Sequence, residues 1–190
     1  MFLFFTLVLA HHPPEEFITL SDLEIKTVGT LPTSPFYFFK EFGRAFRRSF
    51  TFGSVRKTEV ELEILNEKAG ELYQVQEDEP DNLEAVQGAI QNYRESHGRL
   101  KARLGRLRDT SENQEIDRLL ENLSERMASH EFLFEDILRK FEDKEEIRDE
   151  IGILGEKFKD LAAAAAEKDV TEKFEKRLER ARERAERRLR

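Results

Sequence analysis

The sequence predicts an all-α protein: an up-down antiparallel helical bundle with heptad seams, an aromatic-rich first helix and a long charged C-terminal helix. Three observations predict it. Ala, Glu, Lys, Leu and Arg make up just over half of the 190 residues, the bias of long helices rather than of a mixed α/β domain. The last 110 residues contain no proline, since all five lie at positions 13, 14, 32, 35 and 80. Apolar residues recur at alternating spacings of three and four, and no segment alternates like a strand.

Taken in order, residues 1–10 form an apolar leader and candidate signal segment. Phe2 to Leu9 is almost unbroken apolar sequence, and Val8-Leu9-Ala10 fits a cleavage site after Ala10. The run is far short of the roughly 20 residues of a membrane-spanning helix, and no Lys or Arg precedes it. Export is expected; the other reading is a buried apolar end. Residues 11–33 read as a linker, with His11-His12 a solvated tail. Ser34-Pro35 offers an N-cap serine and a first-turn proline for a helix over about 35–50. A second helix is expected over about 54–77, with a weaker seam of Val55, Thr58, Leu62, Leu65, Ala69 and Leu72.

The third and fourth helices carry the strictest seams. Leu83, Val86, Ile90, Tyr93, His97, Leu100, Leu104 and Leu107 line one; Ile116, Leu120, Leu123, Met127, His130, Phe134, Ile137 and Phe141 line the other. Asp81 with Glu84, and Ser111 with Gln114, are the expected capping pairs. The 109–113 turn is short enough to make these helices an antiparallel hairpin. The bundle core domain is placed at 34–141. Residues 142–190 hold the C-terminal helices, the first with Ile147, Ile151, Leu154, Phe158, Leu161 and Ala165. After five alanines at 162–166, Asp169 and Glu172 can cap a last helix. Thr171 to Arg190 carries nine Lys/Arg against five Glu, which reads as a largely exposed helix braced by i,i+4 pairs.

Composition narrows function. A formal charge of −8 argues against nucleic-acid binding, and the absence of cysteine removes disulfides, thiolate metal sites and cysteine nucleophiles. No phosphate-cradling glycine loop, nucleophile elbow or His-Glu-x-x-His occurs. The residues three before His97 and His130 are Arg94 and Met127, so the Glu-x-x-His of di-iron bundles is missing. No enzyme and no cofactor are expected.

Two features stand out. His97 and His130 sit on apolar seams. Reflecting the hairpin about its turn puts His130 level with Tyr93, and His97 beside Arg126 and Met127. This predicts a polar core layer of Tyr93, His97 and His130, in which the tyrosine hydroxyl satisfies an imidazole nitrogen and His130→Leu is tolerated. The competing reading is a metal site with Glu95 or Glu131, for which His97 and His130 are weak candidates. The other feature is the first helix, where residues 36–52 hold seven of the 16 Phe. Phe39, Phe42, Phe46 and Phe50 fall on one face and Arg44, Arg47 and Arg48 mostly off it. The sequence favours phenylalanines capping the bundle core while the arginines pair with surface acids. The alternative is that Phe39, Phe42, Phe46, Arg44, Arg47 and Arg48 form a partner-docking or membrane-surface face.

The stretch Leu31-Pro32-Thr33-Ser34-Pro35-Phe36-Tyr37-Phe38-Phe39-Lys40 resembles the opening of an uncharacterised family of exported bacterial helical proteins, a domain of unknown function. Its members begin Leu-Pro-x-Ser-Pro-x-Tyr-x-x-Lys, soon after a signal segment. Phe50-Thr51-Phe52 matches the turn that follows, and His130-Glu131-Phe132-Leu133 the late histidine. The resemblance covers roughly residues 28–140; the weak leader and the long basic C-terminal helix depart from it. It implies a helical fold and export, and no activity. The expected function is a non-enzymatic interaction or scaffold module at the cell envelope, with a protein partner or self-association through helices and peripheral membrane contact as a further option. The alternatives are an extracytoplasmic sensor or metal- or small-ligand-binding bundle, and a cytosolic coiled-coil adaptor.

Overall fold

A computed structural model describes residues 18–189, and the leader lies outside the described residues. Six helices follow one another: α1 (Tyr37–Ser49), α2 (Ser54–Asp78), α3 (Leu83–Arg106), α4 (Gln114–Lys140), α5 (Glu145–Ala166) and α6 (Phe174–Leu189). There is no strand among the described residues, so the helical period of the sequence is the period of the fold.

Four helices close a ring in which α2 touches α3, α3 touches α5, α5 touches α4 and α4 returns to α2. The α3–α4 pair, expected to be neighbours, instead faces across the diagonal. The physical reason is that both seams point to the centre, where α5 and α2 fill the flanks. Every residue of the α4 seam is buried, and on α3 only Leu83 at the start is partly exposed. A single core runs from Ile18 to Ala185. The boundary expected at 141/142 therefore does not separate two cores, because α5 supplies one wall of the ring.

The caps move by one or two residues. The α3 cap is Asn82, whose side chain accepts from Ala85 N (3.2 Å), and the α4 cap is Asn113, accepting from Glu115 N (2.9 Å). Ser111, expected as the α4 cap, joins two turns instead. Its Oγ accepts from Val170 N, Thr171 N and Thr171 Oγ1 at 2.9–3.0 Å, and its own N donates to Lys168 O at 2.8 Å. Ser34-Pro35 forms a turn ahead of α1, with Ser34 O accepting from Tyr37 N.

The linker reading of 11–33 is corrected for its described part. Leu23 and Ile18 are buried, and Ile25 and Val28 cross α2 over Gly70, where a Cβ would stand 2.5 Å from Ile25 Cδ1. The last helix is also corrected: it is packed, not solvated. Phe174, Leu178, Ala181 and Ala185 are buried, and α6 lies along α4. Its arginines are spent on the acids of α4, with Arg182 in a bidentate pair to Glu131 and Arg184 reaching Glu121 and Glu125. Arg177 is buried; it bonds Asp169 (2.8 Å), Asp117 (2.5 Å) and Glu121 (3.2 Å). Asp169 in turn accepts from Glu172 N, so one carboxylate holds the turn ahead of the helix and orients its anchor.

Arg177→Ala leaves the enclosed Asp169 carboxylate without its cation, and a cost of about 3 kcal/mol is expected in urea unfolding. Arg182→Ala, whose pair is nearer solvent, should cost under about 1 kcal/mol. Equal effects of the two substitutions would contradict Arg177 as the anchor of α6.

Candidate functional site

The polar core layer is built where the α3 and α4 seams meet. Tyr93 and His130 are both fully buried, and the tyrosine hydroxyl donates to His130 Nδ1 at 2.9 Å. Diagonal placement does not prevent this, because the two large side chains span the centre. The network extends beyond that pair. His130 Nε2 lies 2.9 Å from Asn66 Oδ1, so the tautomer that satisfies both nitrogens carries its proton on Nε2. Asn66 Nδ2 then donates to Leu23 O at 3.0 Å, and Arg126 donates to the same carbonyl at 2.9 Å. A continuous line of hydrogen bonds thus joins α3, α4, α2 and the N-terminal segment. Asn66 lies one residue past the α2 seam, and periodicity alone gives no sign of it.

His97 takes a different place. Its ring stacks on Phe158 with centroids 5.7 Å apart, at the end of a file of rings through Phe134 and Tyr93. It is not hydrogen-bonded into the Tyr93–His130 pair. Burial, reinforced by the charge of Arg126, lowers His130 to about 3; burial with Lys157 and Lys101 lowers His97 to about 4. Both rings are neutral near pH 7. No group of three His, Asp or Glu converges to hold a metal among the described residues, and both nitrogens of His130 are already engaged.

The first helix carries the larger surprise. Phe36, Phe38, Phe39, Phe42, Phe46, Phe50 and Phe52 are all exposed, from 55% to 79%. They do not cap the core. The helix is turned the other way: Tyr37, Lys40, Glu41, Arg44, Arg47 and Arg48, three and four residues apart, face α2. Arg44 is buried; its Nη2 donates to Glu71 (2.6 Å), its Nη1 to Glu41 (2.6 Å) and its Nε to Glu67 (2.8 Å). Glu71 and Lys68 are also buried. Glu71 accepts from the Tyr37 hydroxyl and pairs with Lys40 at 2.7 Å, while Lys68 bonds Glu41 and the Tyr37 hydroxyl. Arg47 reaches Glu67 at 2.8 Å and Arg48 reaches Glu61 at 3.1 Å.

Electrostatics agree with this geometry. Burial alone would raise the Glu41 carboxyl, but Lys68 and Arg44 outweigh it and hold it down to about 2. Glu71 is likewise lowered against its burial by Arg44 and Lys68. Burial and the adjoining Glu71 push the Tyr37 phenol up, so it stays a neutral donor. The expected six-residue docking face is therefore split by the structure. Phe39, Phe42 and Phe46 are on the outside, whereas Arg44 is sealed inside and Arg47 and Arg48 are engaged with α2. The signal for this lay in two charge blocks on either side of the 50–53 turn, basic in α1 and acidic at 59, 61, 63, 67 and 71 in α2.

Two shallow depressions open to solvent lie at Ile18–Phe132–Leu189 and at Arg48–Lys57–Arg103, and neither encloses room for a small molecule. No described helix is long and apolar enough to cross a membrane. The fold and site define a six-helix all-α bundle with an apolar outer helix face. No protein-family model, curated protein or solved structure matches the chain, so the functional reading rests on its own geometry.

The network changes what His130→Leu should do. The substitution strands the Tyr93 hydroxyl and Asn66 Oδ1 together, so a loss of about 2 kcal/mol is expected rather than tolerance; Tyr93→Phe should cost about 1 kcal/mol. The histidines also set the acid limb. In the unfolded chain they take up protons below about pH 6.5, and in the native chain only near 3 to 4. Stability is therefore full above pH 6.5 and falls as pH drops, by up to about 1.4 kcal/mol per unit for each ring. Urea unfolding of wild type and His130→Leu at pH 7.5 and 5.0 tests both statements, and an unchanged slope in the variant would refute the buried neutral imidazole.

Proposed function

We propose that this chain is a non-enzymatic helical interaction module, exported to the cell envelope, that docks another helix on the phenylalanine face of α1. The observation that carries the reading is the inversion of α1, with seven exposed phenylalanines outside and Arg44 buried inside. Phenylalanine supplies nothing to solvation, and on the order of 900 Å² of its surface lies together here. Patches on monomeric proteins stay near 300–600 Å². All five charged side chains of α1 engage partners on its inner side, so the outer face has no charge to desolvate on contact. The apolar run Phe2–Leu9 ending in Val8-Leu9-Ala10 supports export.

Site-specific photocrosslinking in the native host tests the docking face. A benzophenone side chain at Phe42 should give protein adducts identifiable by mass spectrometry, while the same group at Ile153, an exposed apolar position of α5, should not. Equal yields at the two positions would overturn the reading. Phe42→Ser and Phe46→Ser should each change the unfolding free energy of the dissociated monomer by no more than about 0.5 kcal/mol, since neither ring supports the core.

Export is tested separately. Mass spectrometry of the protein from the native host should find a mature chain beginning at His11, and an intact Met1 in the cytoplasmic fraction would refute it.

A further inference from the structure

The outer face of α1 has an order that simple amphipathicity does not require. Counted from Arg44, phenylalanines stand two residues away on both sides (Phe42, Phe46), six away on both sides (Phe38, Phe50) and eight away on both sides (Phe36, Phe52). The two immediate neighbours, Gly43 and Ala45, are both small. Only Phe39, whose mirror position is Ser49, breaks the pattern. The phenylalanines, though not the other residues, thus fall nearly symmetrically about Arg44, one residue past the middle of a helix that runs from Tyr37 to Ser49, with Phe36, Phe50 and Phe52 just beyond its ends.

We infer that α1 pairs with α1 of a second copy of this chain, antiparallel, about a two-fold axis passing beside Arg44. The inference rests on the reading of α1 as the docking face and names its occupant. Such an axis brings residue 44−n of one protomer level with residue 44+n of the other. Phe42 then meets Phe46 of the second copy, Phe38 comes level with its Phe50, and Gly43 with its Ala45. Each apolar layer is completed by its own mirror image, the self-complementarity that an isologous interface demands.

Three further observations support the pairing. The exposed phenylalanine surface, on the order of 900 Å², is close to the roughly 800 Å² per partner of a standard stable interface. The charged residues of α1 face α2, so no like charges meet when the two copies of the face come together. Existing ring contacts sit toward the two ends of the face, with Phe38 and Phe39 centroids 3.9 Å apart and those of Phe46 and Phe50 4.1 Å apart. The two-fold would set one such pair beside the other.

Sedimentation equilibrium of the full chain should give twice the monomer mass of 22.4 kDa across the micromolar range, where interfaces of this size operate. Phe42→Asp combined with Phe46→Asp should weaken the dimer at least about 100-fold, with unchanged helical circular dichroism. Orientation is read from cysteines, which the natural chain lacks. Mixing Phe42→Cys protein with Phe46→Cys protein under mild oxidation should link one to the other in preference to like with like. Predominant Phe42→Cys self-linkage would mean a parallel pair and overturn the axis. A wild-type chain that is monomeric throughout overturns the self-pairing. In that case, adducts to a different protein at Phe42 in the host would leave the docking face standing. Binding to vesicles of phosphatidylcholine and phosphatidylglycerol, abolished by the double Asp variant, would assign the face to lipid instead.

Discussion

The burial of Arg44 against Glu71 decides the character of this molecule's surface. A helix has two sides, and α1 gives its charged side to α2. Taking these ions out of water is costly, and a guanidinium without partners could not remain there. Arg44 meets the cost with three carboxylates, Glu41, Glu67 and Glu71, which its planar fork addresses from separate nitrogens. Lys68 and Lys40 balance the remaining negative charge on Glu71. The cluster is close to neutral as a whole. Its consequence lies on the opposite side of the helix, where the phenylalanines have no core to enter.

The same economy recurs at the other end of the chain. α6 carries a surplus of arginine, and α4 offers Asp117, Glu121, Glu125 and Glu131 in a row along one side. Both outer helices thus use cations to attach to a central acidic helix. They differ in what else they bury. Phe174, Leu178, Ala181 and Ala185 follow the arginines of α6 into the core, whereas no phenylalanine of α1 does so. Two arginine-bearing helices therefore end with opposite outer faces, one polar and one apolar. Between them, the hydrogen-bonded line from Tyr93 through His130 and Asn66 to Leu23 O ties ring and N-terminal segment to one register, a role that unpolarised packing of leucines leaves open.

What could be read in advance follows from which signals are local. The seams of α3, α4 and α5 are periodic over about five turns or more, and burial selects those residues whatever the neighbours are. The level of Tyr93 with His130 was legible because it depends only on the turn between α3 and α4 and the helical rise. That α3 and α4 are diagonal was not legible, since a short loop is equally compatible with both placements once α5 wedges between them. Asn66 was hidden because one polar residue beside the α2 seam looks like any solvated position. The reversal of α1 has no local signature, for a simple reason. The expectation that apolar residues turn inward compares a helix with water, and here the competitor was a buried acid, Glu71, that only a cation could satisfy. The packing of α6 is hidden likewise, because i,i+4 pairing within a helix and pairing with a neighbour 50 or more residues away look alike in sequence.

The orientation of α1 is also what makes its outer face permanent. A helix of 13 residues is marginal on its own, so its neighbours hold it. Rotating it by half a turn would bury the phenylalanines, an apolar gain, but it would leave Glu71 and Lys68 enclosed on α2 without Arg44, Lys40, Glu41 or Tyr37. Glu71 and Lys68 would then keep only each other, and a buried pair stripped of its remaining partners is costly. The rotated state would also release the segment that Lys40 holds through Val28 O and Thr30 O. The face is therefore not a latch that opens on demand. Among the described residues nothing covers it.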